Sequence, residues 1–241
     1  MIQLSGVSCS YGEGDVLAGI DLRIGRGDSV ALIGPNGCGK STLLKLLNGL
    51  VPARAGRYAF DGVAITLERL RQAPFAKRFH QRIGFLFQNS DAQLFCPVVY
   101  EEIAFGPRQM GLPEAEVARR VEGCLELLGI GGLRGRVPYH LSGGEKRKVA
   151  LASVLALNPE VLVLDEPMNG LDPRMKQSLR EIMVALNAAG KTVLCSTHDF
   201  KYVEGVFRTA VVLGDDHRVA RVGAYPQIVN DEAFLRARNI I

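Results

Sequence analysis

The feature that most constrains this chain is an eight-residue run, Gly34-Pro35-Asn36-Gly37-Cys38-Gly39-Lys40-Ser41, set between two apolar segments. Ahead of it lies Val30-Ala31-Leu32-Ile33, and beyond it leucines at 43, 44, 46, 47 and 50 recur at helical spacing. The pattern predicts strand, glycine turn and helix. The run fits G-x-x-x-x-G-K-[ST], a loop whose backbone N–H groups wrap phosphate oxygens at the start of a helix. Glycines are needed there because a side chain would keep the backbone from closing on an anion. Lys40 is placed to reach β- and γ-phosphates, and the Ser41 hydroxyl to ligate Mg²⁺. The plainer alternative is a glycine turn capping an amphipathic helix; the strand before and the helix after favour the phosphate loop. Cys38 lies near a helix N-terminus that favours thiolate, so its alkylation, with protection by nucleotide, is expected.

Two further unbroken apolar runs end in polar residues. Val161-Leu162-Val163-Leu164 leads into Asp165-Glu166-Pro167, and Thr192-Val193-Leu194-Cys195 into Ser196-Thr197-His198. Such runs suit parallel strands covered on both faces by helices. The carboxyl ends of strands in an open α/β sheet form the ligand crevice, so Gly34–Ser41, Asp165-Glu166 and His198 are expected to converge on one ligand. A carboxylate at Asp165 can hold the Mg²⁺ shell, and Glu166 can orient or deprotonate an attacking water. Taken singly, Asp-Glu-Pro is more often a solvated turn and His198 a structural histidine. From about residue 106 to 157 the pattern is mainly helical, with Pro113 opening one helix over 114–128 and a second beginning near Ser142. This stretch reads as a helical lobe inserted between the strands.

The 241 residues are 47% hydrophobic and 22% charged, which excludes disordered, collagen-like and disulfide-framework classes. A formal charge of +4 is far weaker than nucleic-acid-binding domains usually carry, and no nucleic-acid partner is expected. Five scattered cysteines without a Cys-x-x-Cys pair fit a reducing compartment. The longest apolar stretch, residues 149–157, is about half the length that a bilayer-crossing helix needs. Residues 1–11 lack a signal-like core, so the chain is expected neither to span a membrane nor to leave the cell by the usual signal.

Leu141-Ser142-Gly143-Gly144-Glu145 precedes a helix start. Ser142 with Glu145 has the form of a capping box. That device does not require the two glycines inside it, which expose backbone N–H groups at the helix's positive end and suit a second anion-binding surface.

Together these residues resemble the motifs of the ATP-binding cassette ATPases over nearly the whole chain. Residues 34–42, through Thr42, look like the Walker A loop; residues 161–165 look like Walker B, with Glu166 as the catalytic carboxylate; residues 141–145 look like the signature motif. Gln88 fits the Q-loop glutamine, Gly170-Leu171-Asp172 the D-loop, with an unusual Met168-Asn169 ahead of it, and His198 the switch histidine, while Tyr11 falls where an aromatic stacks on adenine. The resemblance implies an α/β P-loop NTPase (RecA-like) core with a mainly parallel sheet, an N-terminal antiparallel β portion and an inserted helical subdomain. It divides the chain into a nucleotide-binding core (1–87 and 159–225), a Q-loop and signature lobe (88–158) and a tail (226–241). It also implies ATP and Mg²⁺ as cofactors, the ion held by Ser41, Gln88 and Asp165. Two cassettes would face head to tail, so that Ser142, Gly143 and Gly144 of one close on ATP held by the other. A single set of motifs calls for a partner cassette, a second copy or a paralogue.

The stretch 88–95, with Pro97 and the run 101–107, is similar to cassettes of energy-coupling-factor importers and their cobalt and nickel uptake relatives, although Ser90, Val98 and Tyr100 replace that group's usual proline, threonine and glutamate. The resemblance then implies an integral membrane subunit docking near Gln88–Phe105, with Leu94, Phe95 and Phe105 as apolar contacts, and a peripheral place at the cytoplasmic face of the cell membrane. The end at residue 241 tilts the expectation toward the metal-ion branch. A soluble cassette ATPase of DNA repair or translation is the rival expectation, though the tandem cassettes or long coiled coil usual there do not occur; a P-loop small-molecule kinase leaves residues 141–145 and His198 unexplained.

Overall fold

Alternating burial marks the first two elements as strands with one wet face. In the computed structural model, which describes residues 1–12, 14–200 and 202–241, β1 (Ile2–Ser10) pairs antiparallel with β2 (Asp15–Ile24), Leu4 opposite Leu22. The strand β3 (Ser29–Ile33) is buried throughout, as its unbroken apolar run predicts, and leads through the glycine loop into α1 (Lys40–Leu47). β4 (Ala55–Phe60) and the short β5 (Val63–Ala64) return to the first sheet, whose order is β2-β1-β4-β5. Two helices, α2 (Leu67–Leu70) and α3 (Ala73–Arg82), then lead to β6 (Ile83–Leu86).

The helical lobe consists of α4 (Val99–Gln109), α5 (Glu114–Leu127) and α6 (Gly143–Leu155). It starts earlier than the sequence pattern suggests, because Gly106-Pro107 looks like a helix stop and yet lies inside α4. Glu101 and Glu102 occupy the first turn of α4, where carboxylates suit the positive end of the helix dipole. Beyond the lobe come β7 (Val161–Asp165), α7 (Pro173–Ala188), β8 (Thr192–Ser196), β9 (Thr209–Leu213), β10 (Val219–Ala224), α8 (Tyr225–Val229) and α9 (Glu232–Ala237). The second sheet runs β10-β9-β3-β8-β7-β6 and is parallel except for the β9–β10 pair. This is the α/β architecture expected, with the antiparallel portion N-terminal and the helices inserted.

The parallel sheet divides the core by its own alternation. Ala31, Ile33, Leu162 and Leu164 face the lobe and α7, while Val30, Leu32, Val161 and Val163 face α1 and the antiparallel sheet. An eight-residue helix such as α1 is too short to stand alone. It is held by Leu43, Leu44, Leu46 and Leu47, all buried between the two sheets, each side chain supplying about 1.5–3 kcal/mol of transfer free energy. The phosphate loop therefore begins on one rigid element and ends on another. Tyr225, Ile228 and Leu235 bury α8 and α9 in the lobe-side core.

Charged side chains staple the sheets together at the end away from the loop. Glu160 accepts hydrogen bonds from Arg82 Nε at 2.6 Å and Arg26 Nη1 at 2.7 Å, Asp61 pairs with both arginines, and Arg82 lies 4.5 Å over the Phe60 ring. The Arg82 and Arg26 guanidiniums hold the Glu160 carboxyl at about 2, against an ordinary 4.5. A depressed carboxylate pKa contributes stability above the unfolded value, and that contribution disappears as pH falls through the folded one. Glu160→Gln is accordingly expected to lower stability at pH 7 by about 1 kcal/mol, the scale of a solvent-screened network. The urea midpoints of variant and wild type should converge between pH 4.5 and 2. Midpoints equally far apart at both ends of that window would refute the assignment.

Candidate functional site

At the carboxyl end of β3 the backbone turns sharply. Gly34 has φ 157°, and a Cβ there would come within 2.6 Å of the Leu213 carbonyl oxygen and 2.7 Å of Cys38 Sγ. Gly39, at φ 105°, would drive a Cβ to 2.5 Å from the Val16 carbonyl oxygen. Only glycine fits either position. Pro35 is half-buried, Asn36 and Gly37 are exposed, and Thr42 is buried under the first turn of α1. Among the described residues α1 has no side-chain cap and no acidic residue in its first turn. Its orphan N–H groups and dipole thus face the loop uncontested, which fits a bound phosphate. The buried Lys40 folds back so that Nζ donates to the carbonyls of Gly34 at 2.7 Å and Pro35 at 3.0 Å, placing an ammonium inside the loop.

The expected convergence is realised by strand register. β8 lies between β3 and β7, with Leu32 beside Ser196 and Ser196 beside Asp165. Asp165 Oδ1 accepts from Ser41 Oγ at 3.0 Å and from Ser196 Oγ at 2.8 Å. The Ser196 hydroxyl in turn accepts the Glu166 N–H at 2.8 Å. Glu166 sits at φ 46°, a left-handed conformation that costs a non-glycine residue on the order of 1–3 kcal/mol. Its Oε2 lies 2.9 Å from His198 Nδ1, and the histidine side chain is 59% exposed. A hydroxyl and a carboxylate oxygen side by side form a hard-donor pair suited to Mg²⁺ that keeps waters and phosphates in its shell. Among the described residues no three His, Cys, Asp or Glu side chains gather into a metal cage.

Ser196 was not singled out by the sequence, where it is one polar residue at the end of an apolar run. Its register position next to Asp165 is the signal that would have found it. Gln88, by contrast, is exposed, and among the described residues its side chain makes no hydrogen bond to Ser41 or Asp165; its carbonyl accepts from Arg147 Nη2 at 2.6 Å. Tyr11 is exposed in the turn before β2, whose Val16 backs Gly39.

Cys38 departs from expectation. It is only 2% exposed, and burial pushes its thiol pKa up, outweighing the attraction of Lys40 and the loop N–H groups. The sulfur packs inside the loop and is not an activated thiolate. Helix position predicted activation; desolvation, invisible in the sequence, overrides it.

Ser142 caps α6 as the capping box requires: its Oγ accepts from the Glu145 N–H at 3.3 Å, and its own N–H donates to Glu145 Oε2 at 2.8 Å. The hydroxyl and N–H of Ser142 hold the Glu145 carboxyl below the usual range. No hydrogen bond joins Ser142, Gly143 or Gly144 to the phosphate loop among the described residues. A Cβ on Gly143 would meet nothing within 4 Å, and one on Gly144 only the Met175 side chain at 3.7 Å. Neither glycine has a positive φ.

Beside the loop that follows β6, Phe95 and Phe105 are exposed and meet edge to face at 5.0 Å between centroids. They border a groove of about 360 Å³ lined also by Leu50, Phe85, Val154 and Leu157. The expected contact Leu94 is instead partly buried against the lobe-side core. Glu102, 3% exposed, accepts the N–H groups of Phe95 at 2.8 Å and Cys96 at 2.7 Å and so fixes the aromatic pair.

A glycine loop on α1 with two acidic residues at the end of a parallel strand one removed from the loop's own defines a P-loop nucleotide-binding protein. Residues 17–169 match the family model described as ABC transporter. The chain is 48% identical over 219 residues, 91% of each chain, to a nickel import ATP-binding protein, LarO, of Lactiplantibacillus plantarum. It superposes with TM-score 0.83 and 34% identity on cbiO1 of Clostridium perfringens, part of the ABC transporter complex cbiONQ, over 99% of this chain and 94% of that one. The dimeric cassette MJ0796, in a post-hydrolysis state bound to ADP and Pi, matches with TM-score 0.84 and 27% identity over 93% and 98% of the two chains. The chain belongs to the ABC transporter family, and it is an ATP-binding ATPase of that family.

Ser196→Ala removes the hydroxyl shared by Asp165 and the strained Glu166 backbone. An orphaned buried N–H costs about 1–3 kcal/mol. The variant is expected to lose that much stability in urea titration and to hydrolyse ATP more slowly with little change in ATP affinity; unaltered stability would show that the bond is not maintained in solution.

Proposed function

We propose that this chain is the ATP-hydrolysing subunit of a membrane importer, working as a head-to-tail pair of cassettes. The observation that carries the proposal is the hydrogen-bonded path from the Ser41 hydroxyl through Asp165 and Ser196 to the backbone N–H of Glu166, whose carboxylate lies 2.9 Å from His198 Nδ1. Gly34, Pro35, Asn36, Gly37, Cys38, Gly39 and Thr42 would form the cradle, and Lys40 would neutralise the β- and γ-phosphates. Ser41 and Asp165, with Gln88, would hold Mg²⁺, which when bound supplies charge neutralisation on the phosphate oxygens. Glu166 would orient and deprotonate the attacking water, in line with the β–γ bridge. His198 holds the Glu166 carboxylate and would contact the γ-phosphate. Tyr11 would stack on the adenine.

Gly143 and Gly144 support the pairing. Glycine in a helix costs up to about 1 kcal/mol relative to alanine, and neither φ nor packing within this chain requires it at either position. Room for close approach by a group from outside accounts for both. The open N-terminus of α6 then adds donors to the partner's γ-phosphate. The residue division 1–87 with 159–225, 88–158 and 226–241 follows as cradle, signature lobe and tail.

The aromatic groove at Phe95 and Phe105 is proposed to receive an integral membrane subunit. Among the described residues no helix is long and apolar enough to cross a membrane, which suits a peripheral place on the cytoplasmic face. The name of LarO points to nickel as the solute, and the resemblance of residues 88–107 to importer cassettes keeps cobalt, or a vitamin, beside it; an importer's cassette accounts for the exposed aromatic groove better than a soluble repair or translation ATPase.

Glu166→Gln is expected to keep ATP binding, lower kcat by about 10²-fold or more and accumulate an ATP-dependent dimer in size-exclusion chromatography. A variant that turns over at the wild-type rate would remove Glu166 from its role. Mixing Lys40→Ala with Ser142→Arg subunits should restore ATPase activity, since each mixed dimer keeps one intact composite site; mixed dimers without activity would count against head-to-tail pairing.

A further inference from the structure

Arg147 lies on α6, five residues beyond Ser142, and is only 7% exposed. Among the described residues no carboxylate forms an ion pair with it. Its guanidinium donates instead to two consecutive backbone carbonyls, Nη1 to Phe87 at 2.7 Å and Nη2 to Gln88 at 2.6 Å. Burial works against its charge, and only the more distant attraction of Asp165 opposes that cost. A buried charge without a paired counter-charge costs several kcal/mol. A methionine would fill such a space without that cost, so the rigid two-pronged fork is what the position uses.

The carbonyls it grips lie where β6 leaves the sheet. Leu86 pairs with Leu164, so Phe87 and Gln88 emerge beside Asp165. The same seam is closed by Gln93, which accepts the Phe87 N–H at 3.2 Å and donates to the Ala150 carbonyl at 3.3 Å. It is closed again by Lys146, paired with Asp91 at 2.6 Å. α6 and the loop after β6 are thereby joined at residues 87, 88, 91 and 93, with Arg147 at the end nearest Gln88.

We propose that Arg147 is a positioning residue that holds Gln88 at the level of Asp165 and passes displacements of the α6 N-terminus, where Ser142 sits, to Gln88. The proposal rests on the ATPase reading above and on the role of Gln88 in it. Arg147 touches no substrate; it acts through one backbone segment.

The test is a double-mutant cycle on the full chain, with steady-state ATP hydrolysis and thermal midpoints measured for wild type, Arg147→Met, Gln88→Ala and the double variant. Arg147→Met is expected to lower kcat by about 10- to 100-fold, as misplacement of a catalytic group does, with KM for ATP changed less than about twofold. Because both act through one residue, the same substitution in the Gln88→Ala background should change kcat by less than about twofold. General damage to the fold would multiply the two losses instead. Arg147→Lys, which keeps the charge and part of the donor set, should recover part of the rate, and its own cycle with Gln88→Ala is read if Arg147→Met gives no cooperative melt. Wild-type kcat in Arg147→Met, or losses that multiply in the double variant, overturns the proposal. A wild-type chain that binds no ATP and hydrolyses none overturns the function together with it, an outcome distinct from an active enzyme indifferent to Arg147.

Discussion

The site depends on the in-register parallel pairing of β3, β8 and β7. Each strand ends in a different polar group, and register alone brings those groups to one level: the loop after β3, Ser196 on β8 and Asp165 on β7. One carboxylate oxygen then receives two hydroxyls from two different elements. A slip of one residue between β7 and β8 would turn Asp165 to the other face of the sheet and dissolve the arrangement. The all-buried strands resist such a slip, because each is locked by apolar side chains on both faces.

Strain concentrates where the strands end. Gly34 and Gly39 occupy conformations and spaces closed to other residues, and Glu166 adopts a left-handed conformation despite its Cβ. Gly34 and Glu166 lie immediately beyond β3 and β7, and Gly39 immediately before α1. The scaffold tolerates them because the leucines of α1 and the valines and leucines of the sheet fasten both sides of each turn. The salt-bridged end at Glu160, across the sheet from the loop, holds left-handed residues of its own, Asp61 at φ 50° and Asn158 at φ 54°, there fastened by the ion pairs of Arg26 and Arg82 with Asp61 and Glu160.

Much of this was legible in the residues. The glycine loop, the three apolar runs, the Pro113 helix start and the Ser142 cap were each announced by local chemistry that the tertiary structure did not override. What escaped was what depends on three-dimensional neighbours. Ser196 matters because of its position across a strand pair, Arg147 because of burial against two carbonyls, and Glu102 because a loop folds back onto it; none stands in a distinctive local pattern. Cys38 shows the reverse error, a correct local rule about helix ends defeated by desolvation. The early start of α4 was hidden by Gly106 and Pro107, residues that usually signal an ending.

Glu102 has a mechanical consequence. By accepting the N–H groups of Phe95 and Cys96 on a carboxylate rooted in α4, it binds Phe95 to the helix that carries Phe105, so that the exposed pair moves with that helix and not with a pliant loop. A contact surface built this way arrives already ordered, so association there forfeits little conformational freedom. Force applied to the two rings reaches the helix at once, as a push on a stiff crank, without first being spent in straightening slack chain.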